Sequence, residues 1–201
     1  MNSEAESWEG LLWKCRSKWK DIMKKIIKEV LDTSIYLLVV LLLTYLVITF
    51  VGQRTVVSGA SMEYTLSDGD NLIVDKISYR FSEPKRFDII VFPFQYADET
   101  YYIKRVIGLP GETVRIDDEG NIYINGEILD ENYGREVIEW PGRAYEEITL
   151  APDEYFVLGD NRNNSSDSRD PSVGNIRKND IIGRAWVRIW PLSEFGILKH
   201  Q

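Results

Sequence analysis

The sequence predicts a mostly β protein, an antiparallel β-barrel or a pair of sheets, preceded by one N-terminal transmembrane helix. Residues 33–53 contain no charged side chain, which is typical of a membrane span. Beyond Arg54, short runs rich in β-branched and aromatic residues alternate with turn signals, and helical periodicity is nearly absent. The 201 residues suffice for one compact domain with appendages.

The uncharged stretch at 33–53 predicts a retained membrane helix. Its 21 residues would span about 30 Å as a helix, which is the thickness of a bilayer's hydrocarbon core. The stretch is too long and too continuously apolar for a buried core helix. It also exceeds the roughly 7–15 apolar residues of a cleaved secretory leader.

The segment at 1–32 is basic and amphipathic. Seven Lys and Arg residues lie between Lys14 and Lys28, so the positive-inside rule places the N-terminus in the cytoplasm and residues 54–201 outside. The segment could lie on the anionic inner leaflet, pair with a partner helix, or simply extend the anchor. The apolar residues recur at helical spacing: Trp8, Leu12, Cys15, Trp19, Ile22, Ile26 and Val30.

The domain at 54–201 is predicted to be built from short strands. Residues 130–149 are polar and irregular, and we expect a surface excursion there. Turn signals such as Pro110-Gly111 and Asn125-Gly126 separate the β-rich runs. The predicted strands are 71–77, 88–94, 101–108, 113–117, 121–129, 154–160 and 181–190.

The composition excludes several kinds of chemistry. A net charge of −8 argues against nucleic acid as a partner. The single cysteine, Cys15, rules out an intramolecular disulfide, and the single histidine, His200, stands beside the last residue. A Ser-His-Asp triad and a His- or Cys-based metal site are therefore not expected, and no cofactor is predicted. A nucleophilic hydroxyl in this chain would need Lys, Asp, Glu or Tyr as its base.

Lys104 is the candidate base. An ordinary lysine has a pKa of about 10.4, and lowering it to about 8 requires roughly 3 kcal/mol of destabilisation of the ammonium, which burial can supply. In the run YYIKRVIG, strand alternation puts Tyr102, Lys104 and Val106 on one face and Arg105 on the other. One of the two cations can therefore point inward while the other faces solvent or a carboxylate. An ordinary solvated lysine is the alternative.

Ser61 is the candidate nucleophile, in the run VVSGASMEYTL. Gly59 and Ala60 leave the backbone near its hydroxyl unobstructed, and Met62 is an apolar neighbour. An ordinary turn is the alternative interpretation.

A third polar segment, at 156–176, follows an apolar run. It is either a solvated loop or a buried one, and burial would require internal ion pairs such as Asp167 with Arg169 or with Arg105. The segment combines Gly159, Asp160, Arg162, Ser165, Asp167, Ser168 and Arg169.

Taken together, these segments resemble the signature boxes of the bacterial type I signal peptidases. SGASMEYTL resembles the nucleophile box, YYIKRVIGLPGE the base box and GDNRNNSSDSR the last box, while DIIVFPF resembles the intervening strand. The three boxes stand in the family's order, and the resemblance covers most of residues 34–190.

The resemblance implies a role for each matching residue. Ser61 would attack the scissile carbonyl and Lys104 would take its proton, while the hydroxyl of Ser165 would orient the amine. The backbone N–H of Ser61 would help to stabilise the oxyanion. Met62 and Gly59 would line the substrate pocket, and the structural polar residues would be Asp160, Asp167, Arg169 and Arg105.

The sequence departs from the family pattern at three places. Tyr64 stands where the family has proline, so a looser turn is expected after Ser61. Phe87 replaces a glycine before Asp88. Gly59 replaces a serine that some Gram-negative relatives use as an oxyanion donor. This glycine predicts an oxyanion hole made of backbone donors, and it favours a Gram-positive-like member of the family.

The leading hypothesis is an endopeptidase that cuts exported preproteins after a small-x-small motif, at the outer face of the cytoplasmic membrane. Its predicted partners are preproteins with signal peptides, the lipid bilayer and, as a further candidate, the secretion translocon. A substrate strand could add to an edge near residues 58–62.

Trp186 and Trp190 are assigned to the core, with the lipid interface as the alternative. The rival hypotheses are a catalytically silent binding module and a self-cleaving Ser–Lys protease.

Overall fold

The computed structural model describes residues 2–96 and 100–198, and His200 lies outside this part of the chain. The chain divides into two units, residues 1–48 and 49–201. The first belongs to α1 (Asn2–Phe50), a single helix of 49 residues. The stretch Leu12–Phe50 contains a segment long and apolar enough to cross a membrane, and its most apolar 18 residues have a mean hydropathy of 2.3.

The helix ends earlier than the sequence predicted. We expected the span to reach Gln53, but Gly52 and Gln53 open the first strand. Glycine is a poor helix former, and the β-branched residues that follow it favour an extended chain. The apolar side chains of the N-terminal segment that the structure describes are exposed, including Trp8 and Trp19. Whether a leaflet or a partner helix covers them stays a prediction.

The second unit is an antiparallel β structure, which confirms the predicted fold class. The strands are β1 (Gly52–Val56), β2 (Asn71–Asp75), β3 (Ile89–Pro93), β4 (Tyr101–Gly108), β5 (Thr113–Ile116), β6 (Ile122–Ile124), β7 (Glu127–Ile128), β8 (Ile148–Thr149), β9 (Glu154–Leu158), β10 (Ile176–Arg177), β11 (Gly183–Trp190) and β12 (Gly196–Ile197). Seven strands of the larger sheet follow the order β1-β2-β11-β3-β4-β9-β10, with β12 paired to β11, and the smaller sheet has the order β7-β6-β5-β8.

Every predicted strand contains an observed one. The run 101–108 matches β4 at both ends. The run 121–129 is a hairpin of β6 and β7, because Asn125 and Gly126 both adopt positive φ, as a two-residue type I′ turn requires. The short strands β8, β10 and β12 have too few residues to show a pattern of their own.

Two expectations about the surface are wrong. The stretch 130–149 is not a mere surface excursion, because Ile138 and Ala144 are buried in the core beneath the smaller sheet. The assignment of Trp186 and Trp190 to the core is also wrong, since 43% and 55% of these residues is exposed. Both tryptophans lie on β11, and local sequence does not reveal which face of that strand is covered.

Candidate active site

Ser61 lies at the start of a tight turn between β1 and β2. Gly59 enters this turn with φ of +92° and donates its N–H to Asp68 Oδ1 at 2.8 Å. The carbonyl of Met62 accepts hydrogen bonds from Thr65 N at 3.0 Å and Leu66 N at 2.8 Å. Because the side chains of Met62 and Leu66 are buried in the core, the turn holds Ser61 against the sheet.

Lys104 lies in the middle of β4 and points into the protein, as predicted. Only 3% of the residue is exposed. Its Nζ donates hydrogen bonds to Ser61 Oγ at 2.8 Å and to the carbonyl of Ile103 at 3.0 Å. Burial lowers the pKa of Lys104 to about 8, and the negative charges of Asp167 and Asp160 limit the fall. The structure thus brings a weakly basic amine to one serine hydroxyl.

Arg105 is buried on the opposite face of β4. Its guanidinium binds Asp160 through two hydrogen bonds, Nε to Oδ1 at 2.8 Å and Nη2 to Oδ2 at 2.6 Å. The ring of Tyr133 covers the guanidinium at 3.8 Å. The predicted division of the two cations between the faces is confirmed. The suggested pair of Arg105 with Asp167 is wrong, because Arg105 is paired across the sheet with Leu158, which brings Asp160 next to it.

Asp167 pairs with Arg169 instead, the other partner that the sequence suggested. The contacts are Nε to Oδ1 at 2.8 Å and Nη2 to Oδ2 at 2.9 Å, and Asp167 Oδ2 also accepts the N–H of Gly159 at 3.0 Å. Both side chains are almost wholly buried. The solvated-loop interpretation of 156–176 is therefore wrong for this part of the segment.

Ser165 lies beside the nucleophile without bonding the amine. Its Oγ is buried and has no hydrogen-bond partner in the described part of the chain. A Cβ atom at position 159 would lie 2.2 Å from Ser165 Oγ and 2.5 Å from the carbonyl oxygen of Ser61. Gly159 is thus required for Ser165 to approach the turn, whereas the expected role of Ser165 in orienting Lys104 stays a prediction.

Asn161 is a site residue that sequence reasoning missed. It belongs to the polar segment at 156–176, but nothing in the pattern distinguished it. Its backbone N–H donates to the carbonyl of Ser61 at 3.1 Å, and its side-chain amide donates to the carbonyl of Ala60 at 3.0 Å. Asn161 therefore fixes the backbone that carries the nucleophile.

Thr65 and the stretch 130–149 were also missed. Thr65 donates its hydroxyl to Asp160 Oδ2 at 2.5 Å and accepts a hydrogen bond from Arg105. The backbone N–H of Arg135 donates to the carbonyl of Asp160 at 2.8 Å. These contacts join segments that are far apart along the chain, so no local pattern could have indicated them.

An open cleft of about 760 Å³ lies over Ser61 and Lys104. It runs between β1 and the first half of β4. In the described part of the chain, β1 pairs only with β2, and β9 pairs with β4 only from Arg105 onward. Two strand edges therefore face the cleft without a neighbouring strand. Its lining includes Thr55, Gly59, Met62, Tyr101, Ile103, Asn163, Asn164 and Ser165.

A serine hydroxyl bonded to a buried amine in an open cleft is the arrangement of a serine hydrolase that works without histidine. Comparison with known proteins supports the assignment to this class of enzyme. The model of the family described as signal peptidase, peptidase S26, matches residues 29–190. The chain therefore belongs to the signal peptidase family, and it is an enzyme of that family, a serine protease that removes signal peptides.

Three relatives found by sequence support the assignment. A probable signal peptidase I-2 from Synechocystis is 42% identical over 76% of this chain and 70% of its own length. A signal peptidase I from Leptolyngbya laminosa is 44% identical over 75% and 74% of the two chains, and one from Bacillus caldolyticus is 41% identical over 73% and 84%. A crystal structure of a signal peptidase I from Enterococcus faecalis is 36% identical, with a TM-score of 0.42, over 51% of this chain and 97% of the other.

Proposed function

We propose that this enzyme is a membrane-anchored endopeptidase that cuts exported preproteins after a small-x-small site, with Ser61 as the nucleophile and neutral Lys104 as the general base. The observation that carries the proposal is the 2.8 Å hydrogen bond between Lys104 Nζ and Ser61 Oγ. Burial supports it further, because an amine with a pKa of about 8 is neutral in about one molecule in ten at pH 7, a much larger share than for an ordinary lysine.

The reaction follows from this pair in two halves. Ser61 Oγ attacks the scissile carbonyl while Lys104 takes the hydroxyl proton, and the amine then returns that proton to the leaving amino group. The leader remains bound to Ser61 as an ester. In the second half Lys104 takes a proton from water, the hydroxide equivalent attacks the ester, and Ser61 Oγ recovers its proton as the leader departs with a carboxylate.

Backbone donors are the candidates for the oxyanion hole. The N–H of Ser61 makes no hydrogen bond within the described part of the chain, so it is available to an oxyanion. The N–H of Gly59 is already donated to Asp68 Oδ1. We therefore assign the Ser61 N–H as a donor and leave Gly59 the role of shaping the turn.

The cleft supports an extended substrate. A peptide strand between the unpaired edges of β1 and β4 would gain main-chain hydrogen bonds on both sides. Its alternate side chains would point toward the floor of the cleft near Met62 and Ile103. A shallow floor excludes large side chains because their atoms would clash with it. This alternation fits a motif with small residues at the first and third positions before the cut.

The N-terminal helix supports membrane anchorage. By the positive-inside rule, the basic residues before the apolar stretch support a cytoplasmic N-terminus, with residues 54–201 on the outer side, where exported preproteins emerge. The lipid bilayer is therefore a proposed partner alongside the preprotein.

A cleavage assay tests the proposal. The purified full chain in detergent is incubated with a preprotein that carries an Ala-x-Ala site, in parallel with Ser61→Ala and Lys104→Ala. We expect both variants to lose at least about 1,000-fold in kcat/KM. The exposed residues Ser193 and Lys85 provide matched controls as Ser193→Ala and Lys85→Ala, which should cleave normally. Equal product from all variants refutes the pair, and no product from any of them favours a binding module.

The pH dependence provides a second test. The base must be neutral, so kcat/KM should rise about tenfold between pH 7 and pH 9 with a midpoint near 8. A profile that is flat across this range contradicts Lys104 as the base.

A further inference from the structure

An open cavity of about 390 Å³ lies at the end of α1. Among the residues that the structure describes, it shares no lining residue with the catalytic cleft. Three cations line it, Lys76, Arg80 and Lys178, and within the described part of the chain no carboxylate does so. Because the whole chain carries a net charge of −8, this cationic cavity creates a local field of the opposite sign, which attracts an anion.

Two of the three cations are available to a ligand. Lys178 is paired with Glu83. Lys76 and Arg80 form no ion pair with any residue that the structure describes. The carboxylate nearest to them along the chain, Asp75, already accepts hydrogen bonds from the N–H groups of residues 77 and 78 and is paired with a different arginine. The positive charges of Lys76 and Arg80 are therefore not neutralised by the protein.

The cationic cavity lies where the apolar stretch ends. Thr49, in the last turn of α1, is one of its lining residues. The guanidinium of Arg80 lies over the ring of Phe50, the last residue of the helix, at 5.6 Å from its centre. The next residue after Arg80, Phe81, is 85% exposed. Cations and exposed aromatic rings at the end of a membrane span are typical of the headgroup layer of a bilayer.

We propose that the cationic cavity binds the phosphate of an anionic glycerophospholipid, such as phosphatidylglycerol, at the outer face of the membrane. The inference goes beyond the proposed cleavage reaction and depends only on the proposed membrane anchorage. The planar guanidinium of Arg80 can hold two phosphate oxygens, and the ammonium of Lys76 adds a second charge. The volume of the cavity is within the range of small-ligand sites.

The surroundings favour a lipid over a free phosphate ion. Ile181 and Ile182 also line the cavity, so it offers apolar contact beside the charges. The exposed ring of Phe81 can lie against acyl chains. The headgroup of phosphatidylcholine carries an ammonium group of its own, which the cations of the cavity would repel. The site is therefore expected to prefer a lipid with net negative charge.

The test uses a phosphatidylglycerol probe with a photoreactive diazirine near the start of one acyl chain, added to the full chain in detergent. Peptide mapping after illumination localises the label, which separates this cavity from the basic segment at 1–32. We expect saturable labelling of peptides within residues 49–81. In the double variant Lys76→Gln/Arg80→Gln the half-saturating probe concentration should rise about 30-fold, since each cation near an anionic lipid contributes about fivefold in affinity.

A matched control removes the same charge elsewhere. Arg115 and Arg143 are partly exposed, and neither lines the cationic cavity. Arg115→Gln/Arg143→Gln should keep the half-saturating concentration of the wild type. An equal loss in both double variants would mean that only the net charge of the chain matters, and it would overturn the site. Thermal unfolding of each variant checks the fold, and Arg80→Gln alone, at an exposed position, should still give about a fivefold loss.

Competition identifies the occupant. Unlabelled phosphatidylglycerol should displace the probe at least about tenfold better than phosphatidylcholine does, and inorganic phosphate at millimolar concentration should not displace it. Displacement by inorganic phosphate would show a site for a free anion and overturn the lipid assignment. Displacement by a leader peptide bound to the full-length Ser61→Ala variant would assign the cavity to the substrate and overturn it as well. Preprotein cleavage by a wild-type chain that the probe does not label supports the proposed function and refutes the lipid site.

Discussion

At the residue scale, a buried lysine opposes folding because its ammonium group loses water. The pKa of Lys104 falls from 10.5 to about 8 on folding. The unfolded chain therefore holds a proton at this residue up to about pH 10.5, while the folded chain releases it near pH 8. Since the unfolded state binds more protons between these values, the stability of the fold rises with pH across this window.

This linkage predicts the behaviour of Lys104→Met. At pH 7 the cost of the buried amine is about 3 kcal/mol, and at pH 10 it is below about 1 kcal/mol. The stability advantage of the variant over the wild type should therefore shrink by about 2 kcal/mol between pH 7 and pH 10. Chemical denaturation of the full chain in detergent at both pH values measures it. A difference that does not change with pH would show that Lys104 has an ordinary pKa.

Tyr64 is a second residue where local geometry matters. Its φ is +99°, and 78% of the residue is exposed. The expected looser turn is instead closed by the two hydrogen bonds to the carbonyl of Met62. A side chain other than glycine is strained at this φ, and proline cannot adopt it. The proline typical of the family therefore does not fit this backbone.

Substitutions at Tyr64 test the strain. Tyr64→Gly should stabilise the fold by about 1 kcal/mol, whereas Tyr64→Pro should destabilise it and slow cleavage by displacing Ser61. Tyr64→Ala removes the ring but keeps the strain, so the difference between the Gly and Ala variants isolates the backbone effect. Thermal unfolding of the three variants gives the order of their stabilities. A proline variant as stable as the wild type would contradict the observed turn geometry.

At the scale of elements, the loop after β9 holds the nucleophile turn and β4 together. Asp160 binds Arg105 on β4 and Thr65 in the turn, while Asn161 binds the carbonyls of Ala60 and Ser61. These contacts set the position of Ser61 relative to the strand that carries Lys104. The loop is therefore a structural part of the candidate site.

Removing the charge of Asp160 from this loop should lower the free energy of unfolding by several kcal/mol. Asp160→Asn leaves the Arg105 guanidinium buried without a carboxylate and should reduce stability by about 3–5 kcal/mol. The matched control is Glu63→Gln, which breaks the exposed pair with Arg135 and should cost less than about 1 kcal/mol. Denaturant titration of both variants compares them. Equal losses would mean that the buried pair contributes no more than the exposed one.

At the scale of the whole molecule, the proposed topology can be tested with the single cysteine. Cys15 lies before the apolar stretch, so it is expected in the cytoplasm. A membrane-impermeant maleimide should not label it in intact cells and should label it after permeabilisation. In a Cys15→Ser background, Ser193→Cys should be labelled in intact cells. Labelling of Cys15 in intact cells would reverse the proposed orientation.

Several elements could be predicted because their signals are local. The apolar helix, the strand 101–108 and the turn at Asn125-Gly126 each follow from neighbouring residues alone, although the run 121–129 was predicted as one strand. Strand alternation also predicted correctly that the side chains of Lys104 and Arg105 point to opposite faces of β4. The burial of Ile138 and the exposure of Trp186 could not be predicted, because each depends on which segment packs over it.

The amino-acid order was enough to predict the apolar helix, the strand-rich domain and the short list of side chains able to do chemistry, since hydropathy, turn residues and composition act along the chain. Which of those side chains meet depends on the folded arrangement of the strands. The contact between Lys104 and Ser61, the pairing of Arg105 with Asp160 and the support from Asn161 join residues between 43 and 101 positions apart. Such contacts depend on how the strands are ordered in the sheet, because register and burial are set by packing between distant segments.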